Sequence, residues 1–117
     1  MITQIKSPHP NTLVYELDYF ITDQEIDIIQ KGIEQTLKNY DKVNLILDVQ
    51  VKGKSFSALV KEFKVGLKYW NQINKIAYIC DKGVLKPLIA IDNLFTKFKE
   101  KCFPTEETTK AWEWINK

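Results

Sequence analysis

Asp48 and Asp81, a row of lysines, Ser55 and Ser57, the single histidine and the two cysteines are the residues whose types and placement could do chemistry. Val43-Asn44-Leu45-Ile46-Leu47 runs into Asp48, and Ile76-Ala77-Tyr78-Ile79-Cys80 runs into Asp81. Two apolar strands would thus each deliver a carboxylate to one end of a sheet, where such a pair holds a cation or shares acid and base work. Neither acid has a histidine, a third ligand or a Gly-rich phosphate loop near it in sequence. Strand-end carboxylates that cap helix N–H groups are therefore the stronger reading. A hydrolase-type enzyme built on Asp48 and Asp81 is the weakest of the functional readings, and no metal or cofactor is expected.

The lysines form a different kind of pattern. Lys61, Lys64 and Lys68 fall along one side of a helical segment, and Lys52 and Lys54 precede it. Such a row is ordinarily the solvated edge of an amphipathic helix. Placed over strand ends, it would make an anion-attracting rim. Ser55 and Ser57 stand at the start of the same segment, where a hydroxyl caps free backbone N–H groups. His9 lies in Pro8-His9-Pro10 and reads as an exposed turn residue. Cys80 and Cys102 fall in apolar strand-like segments. Packed, reduced thiols are the expectation, with a disulfide between neighbouring strands as the minor alternative.

The elements that must position these residues are legible from hydrophobic spacing. Phe56, Val60, Phe63, Leu67 and Trp70 step by four, three, four and three, one face of a helix between the two apolar strands. This β-α-β unit is the clearest in the chain. Upstream, residues 2–6 and 12–20 alternate polar and apolar around two prolines, which predicts a β-hairpin. Its second strand puts Leu13, Tyr15, Leu17 and Tyr19 on one face, with Val14, Glu16 and Asp18 on the other. Thr22-Asp23-Gln24-Glu25 is a capping box for a helix whose stripe is Ile26, Ile29, Ile33, Leu37 and Tyr40. Gly32 inside that helix costs about 1 kcal/mol against Ala, and close packing on the sheet would explain it.

Downstream, Pro87 marks the first turn of a third helix. Val84, Leu88, Ile91 and Phe95 make its core stripe, while Leu85, Ile89 and Leu94 fall outside it. Lys97 to Phe103 alternates as a last strand. Thr105 is expected to cap a final helix that buries Ala111, Trp112 and Ile115 and leaves Trp114 partly turned away. The order β-β-α-β-α-β-α-β-α implies right-handed crossovers and a mixed, mostly parallel sheet covered by four helices.

Composition bounds the class. A chain of 117 residues is one domain, 1–117, able to bury an ordinary core. Apolar residues at 44% and charged residues at 27% are those of a soluble globular protein. No apolar run reaches the ~18 residues of a membrane span, and no secretory signal opens the sequence, so a cytoplasmic protein is expected. The net charge of +2 is unevenly spread: residues 1–51 hold four Lys against eight acids, and residues 52–101 hold eleven Lys against four. There is no Arg. Without its planar fork, sequence-specific nucleic-acid recognition is not expected.

Leu47-Asp48, then Glu62-Phe63-Lys64-Val65-Gly66-Leu67-Lys68, then the strand ending in Asp81 and the terminal Ala111-Trp112, resemble the SpoIIAA-like family of small bacterial proteins. That family shares the fold of STAS domains. The resemblance covers the chain from the hairpin onward. It implies four β/α turns, a cytoplasmic location and no established reaction. Related anti-anti-sigma factors and STAS domains bind proteins and are switched by phosphorylation of a serine after the Leu-Asp strand. Ser57 is the nearest match to that serine, although Lys54-Ser55-Phe56-Ser57-Ala58-Leu59 lacks the Asp and Gly of the switch motif. CRAL-TRIO domains share a related topology and carry apolar molecules.

The resulting expectation is a non-catalytic binding or regulatory module that engages a protein partner or a second copy of itself. Its surface would be a groove between the central helix and the apolar third helix. Asp48, Lys52, Ser55, Ser57, Lys61, Lys64, Lys68 and Asp81 would rim it, with Leu85 and Ile89 as an apolar floor. The rival is a carrier of a small apolar or amphipathic anionic ligand.

Overall fold

A computed structural model describes residues 2–17, 23–49, 70–79 and 99–117. Five strands form one sheet in the order β1-β2-β3-β4-β5: Ile2–Ile5, Thr12–Leu17, Val43–Val49, Ile73–Ile79 and Lys99–Phe103. β1 is antiparallel to β2, and every other pairing is parallel. Spatial order follows chain order, as expected for a hairpin continued by crossover units. Two α-helices are described, α1 at Asp23–Leu37 and α2 at Thr108–Ile115. The helices expected near 56–70 and 85–95 lie outside the described residues, except that Trp70 begins a 3₁₀ turn, Trp70–Gln72, which leads into β4.

The sequence explains the layering. In β3 the run Val43–Leu47 is buried throughout, as a central parallel strand covered on both faces must be. β2 keeps the two-residue period: Tyr15 and Leu17 are buried toward α1, and Glu16 is exposed on the other face. On the α1 face Leu13, Tyr15 and Leu17 stand opposite Leu45, Leu47 and Val49. Ile26, Ile29 and Ile33 of α1 are buried there. Gly32 brings the helix onto β2, because a Cβ at this position would overlap the Tyr15 hydroxyl and lie 3.4 Å from Leu13 Cδ1.

On the opposite face α2 packs Ala111 and Ile115 against Ile46, Ala77, Ile79 and Phe103, with Val14, Trp112 and Trp114 at the margin. Lys75 ties down the end of this helix. Its buried ammonium donates to the carbonyls of Trp114 at 2.8 Å and Lys117 at 3.3 Å, and lies 5.3 Å from the Trp114 ring centre. The Trp114 carbonyl also accepts from the Lys117 N–H at 3.4 Å, so the ammonium adds a second donor at the helix end, where a cation also opposes the helix dipole. Burial, and then the charges of Lys99 and Lys117, holds the Lys75 pKa below its usual value.

Three local expectations need correction. Tyr40 lies beyond the end of α1 and is exposed, since the helix stops at Leu37 before its stripe returns to the core. Thr105 opens a 3₁₀ turn, Thr105–Glu107, and α2 begins at Thr108 without a side-chain cap on its first N–H groups. Cys102 is disulfide-bonded instead of reduced; the chain has one other cysteine, Cys80, and Cys102 stands in β5 beside Tyr78 of β4.

Candidate functional site

The hairpin turn is the first element that builds a site. Ser7 Oγ accepts from the His9 N–H at 3.2 Å and donates to the His9 carbonyl at 2.9 Å, and the Thr12 N–H closes on the same carbonyl at 3.1 Å. A serine turn of this kind holds a connection whose two prolines cannot donate. It presents the His9 ring toward α2. The ring lies 5.7 Å from that of Trp112, tilted by 42°, and its Nε2 is 3.3 Å from Asn116 Nδ2. The hairpin and the last helix are thereby joined across 107 positions of sequence.

β2 and β3 are the second pair of elements. Their parallel register places Glu16 directly beside Asp48. Adjacent strands lie ~4.8 Å apart, so both carboxylates project from the same face at neighbouring positions. They stand near the carboxyl ends of β2 and β3, Glu16 exposed and Asp48 half-buried. Ile5 of β1 stands beside Val14 of β2 on the same face.

Between hairpin and helix these groups line a cleft of about 540 Å³. Ile5, Val14 and Pro8 form its apolar surfaces on the hairpin side, and Thr108 and Trp112, one helical turn apart, form the α2 wall. Lys6 and His9 lie toward the turn, and Glu16 and Asp48 toward the strand ends. From Thr12 to Glu16 the strand rises ~13 Å, so the cleft has one acidic end, an apolar middle and an end closed by the His9–Trp112–Asn116 contacts. The volume is in the range of small-molecule sites, ~300–1,000 Å³.

Of the residues selected from sequence, Asp48 enters this cleft. Lys52, Ser55, Ser57, Lys61, Lys64, Lys68, Asp81, Leu85 and Ile89 lie outside the described residues. His9 is exposed as expected, yet it belongs to the cleft and packs on Trp112. Glu16 is the residue that sequence reasoning passed over. The alternation of β2 already put it on the face opposite Tyr15, and the β2–β3 register supplies the missing information by pairing it with Asp48.

Among the described residues no group of three His, Cys, Asp or Glu side chains converges as a metal site would require. No described helix is long and apolar enough to cross a membrane.

The comparisons with known proteins agree with this architecture. A solved structure of an uncharacterised protein from the DUF3478 family with a SpoIIAA-like fold, from Shewanella loihica PV-4, superposes with a TM-score of 0.63. It is 18% identical and the match covers 98% of this chain and 92% of that one, a likeness of fold. A comparison with curated proteins returned no match. The SpoIIAA-like family model matches residues 12–116, from the first residue of β2 to just beyond α2, and the chain belongs to the SpoIIAA-like family.

Proposed function

We infer that this protein is a small regulatory module without chemistry of its own, acting in the cytoplasm by binding a protein partner or a second copy of itself. The observation that carries this reading is the family match over residues 12–116, because the STAS-type relatives of that family work by binding proteins. The contact surface is the one expected from sequence, centred on Lys64 and Ile89 and rimmed by Lys52, Lys61, Lys68 and Asp81. Ser57 is its candidate for control by phosphorylation, since a phosphate there would add close to two negative charges beside a lysine row.

Native mass spectrometry of the purified protein tests this. A dimer, or a stoichiometric protein partner, is expected, and Lys64→Glu combined with Ile89→Asp should abolish it. A monomer whose partners are untouched by the double variant would overturn the reading. The second reading, a carrier of a small ligand, is favoured by the cleft of about 540 Å³. In the same spectrum it would appear as a bound mass of a few hundred daltons.

A further inference from the structure

The two edges of the sheet are built differently. β5 closes one side with Lys99 and Lys101, both exposed, and lysines on an edge strand discourage a further strand from pairing there. β1 closes the other side with Ile2-Thr3-Gln4-Ile5, which holds no charge, proline or glycine. Thr3, Gln4, Ile5 and Lys6 are all exposed, Ile5 to 37%. Successive strand residues point to opposite faces, so both faces of β1 are open. Its outer row of N–H and C=O groups has no strand beside it among the described residues. An uncharged edge of this kind is a template for another strand. Two exposed charged groups, Lys6 and Glu16, flank that edge on the cleft face.

We propose that β1 is the contact through which two copies of this chain pair, antiparallel and about a two-fold axis, into one continuous sheet. An axis perpendicular to the sheet keeps each face continuous across the seam, so residues that meet must point to the same side. Two registers centred within β1 satisfy this. One sets Gln4 against the partner's Gln4 and Thr3 against the partner's Ile5; the other sets Thr3 against the partner's Thr3. Charge decides between them. Thr3 stands beside Glu16, and Ile5 beside Val14. In the Gln4 register, Lys6 comes within two strand spacings of the partner's Glu16, ~10 Å between Cα atoms, a gap that two long side chains span. Symmetry makes this pair twice. In the Thr3 register the two Glu16 carboxylates flank the axis and Lys6 lies farther from both. A second copy is favoured over an unrelated extended peptide because this edge complements itself in charge. The seam is narrow, so the dimer is weak and concentration-dependent. The proposal uses residues 2–6 and Glu16 alone and does not rest on the reading built on Lys64 and Ile89.

The test is sedimentation velocity of the full chain from micromolar to millimolar concentration, where a reversible monomer–dimer equilibrium is expected. Gln4→Lys, at an exposed position that spares the fold, sets like charges face to face at the axis and should weaken the dimer at least tenfold. Lys6→Glu and Glu16→Lys should each weaken it, and the two together should restore it. Gln4→Cys should cross-link under mild oxidation, since facing residues of antiparallel strands have Cα atoms ~4.5–5.5 Å apart, within the span of a disulfide. Asn39→Cys, exposed beyond the end of α1, should not. A parent that stays monomeric at millimolar concentration would overturn the proposal, even if an added extended peptide then protected the β1 amides from exchange. So would a dimer indifferent to Gln4→Lys, a charge-swapped double variant without rescue, or equal cross-linking at position 39. A dimer lost in Lys64→Glu/Ile89→Asp but kept in Gln4→Lys would overturn this contact and leave the protein-partner reading standing.

Discussion

Above Leu13 and Tyr15, α1 lies so close to the sheet that position 32 has no room for a methyl group. Above Val14 and Glu16, on the reverse side of the same strand, α2 stands off and leaves a cleft of about 540 Å³. One strand thus serves two purposes, and the two-residue alternation keeps them apart. The α1 face is occupied by Tyr15, Leu17, Leu45 and Leu47, all nearly or fully buried. The α2 face is apolar under α2 and along Ile5 and Val14. Toward β1 it carries Glu16 and Asp48, and toward the amino ends of the strands it carries the buried polar residues Thr12, Asn44 and Lys75. One face is packed closely and the other keeps an open cleft.

The sharpest way to break that comparison is to add one carbon to the packed face. Gly32→Ala places a Cβ on the Tyr15 hydroxyl, and overpacking of this kind costs about 1–3 kcal/mol. The upper end is expected, since the hydroxyl that must yield sits on a fully buried ring. Tyr15→Phe removes the obstacle. The nearest atoms to the new Cβ are then Leu13 Cδ1 at 3.4 Å and the ring carbon Cζ at 3.6 Å, ordinary contacts. The Gly32→Ala/Tyr15→Phe double variant should therefore be at least as stable as the parent, because Ala gains ~1 kcal/mol of helix propensity. Urea unfolding of the four proteins gives the coupling energy. Additive losses would show that the helix and strand are not in contact as described.

Alkaline pH gives the next largest effect. The Tyr15 hydroxyl is fully buried and has no hydrogen-bond partner among the described residues, and burial pushes its pKa from 10.0 up to about 12. The folded value is above the unfolded one, so the associated stability is whole below pH 10 and is lost as pH rises from 10 through 12. Its size is on the order of 2–3 kcal/mol. Lys75 acts with the opposite sign: its folded pKa is below 10.5, so its share of stability rises as pH approaches that value from below. Chemical denaturation at stepped alkaline pH should show a loss in the parent above pH 10 that Tyr15→Phe lacks. The same variant should be slightly more stable at pH 7, as an orphaned buried hydroxyl is removed.

How much of this contrast was legible in the sequence differs between the faces. Alternation in β2 and the helical stripe of α1 assigned Tyr15, Leu17, Ile29 and Ile33 to the core, and Gly32 was marked as a close approach. These are local signals, within a few residues of one another. The cleft was not legible, because its parts are joined by register and by a contact between His9 and Asn116 at opposite ends of the chain. Strand order and register are decided by global packing, so Glu16 looked like any exposed acid. The role of Lys75 was hidden for the same reason: nothing in its neighbours tells that the end of α2 returns to meet it. Cys102 shows the limit of composition. Two cysteines in apolar segments read as packed thiols, whereas Cys102 is disulfide-bonded.

On the α2 face, stability should depend on the polar latch more than on the cleft. Lys75→Met keeps the length and apolar stem of the side chain but removes the donors to the Trp114 and Lys117 carbonyls. Hydrogen bonds from charged groups contribute ~1.5–3 kcal/mol, and relief of the buried charge offsets part of this, so a net loss of about 1 kcal/mol is expected. The effect should be local. Amide exchange in the last turn of α2 should accelerate while that of β3 is unchanged, and uniform acceleration would mean that Lys75 supports the whole sheet.

Glu16→Gln should have the smallest effect on stability and is the most discriminating. The side chain is exposed, and substitutions at such positions usually change stability by no more than ~0.5 kcal/mol. It stands beside Asp48 at the mouth of the cleft. Paired with Gly32→Ala, it separates the two faces by experiment. The helix variant should lose stability in proportion to its overlap. The strand variant should keep its unfolding midpoint in urea. If Glu16→Gln destabilised the protein as much as Gly32→Ala does, the acid would be a structural member of the sheet. The α2 face would then be a second packing surface, and the division of labour along β2 would not exist.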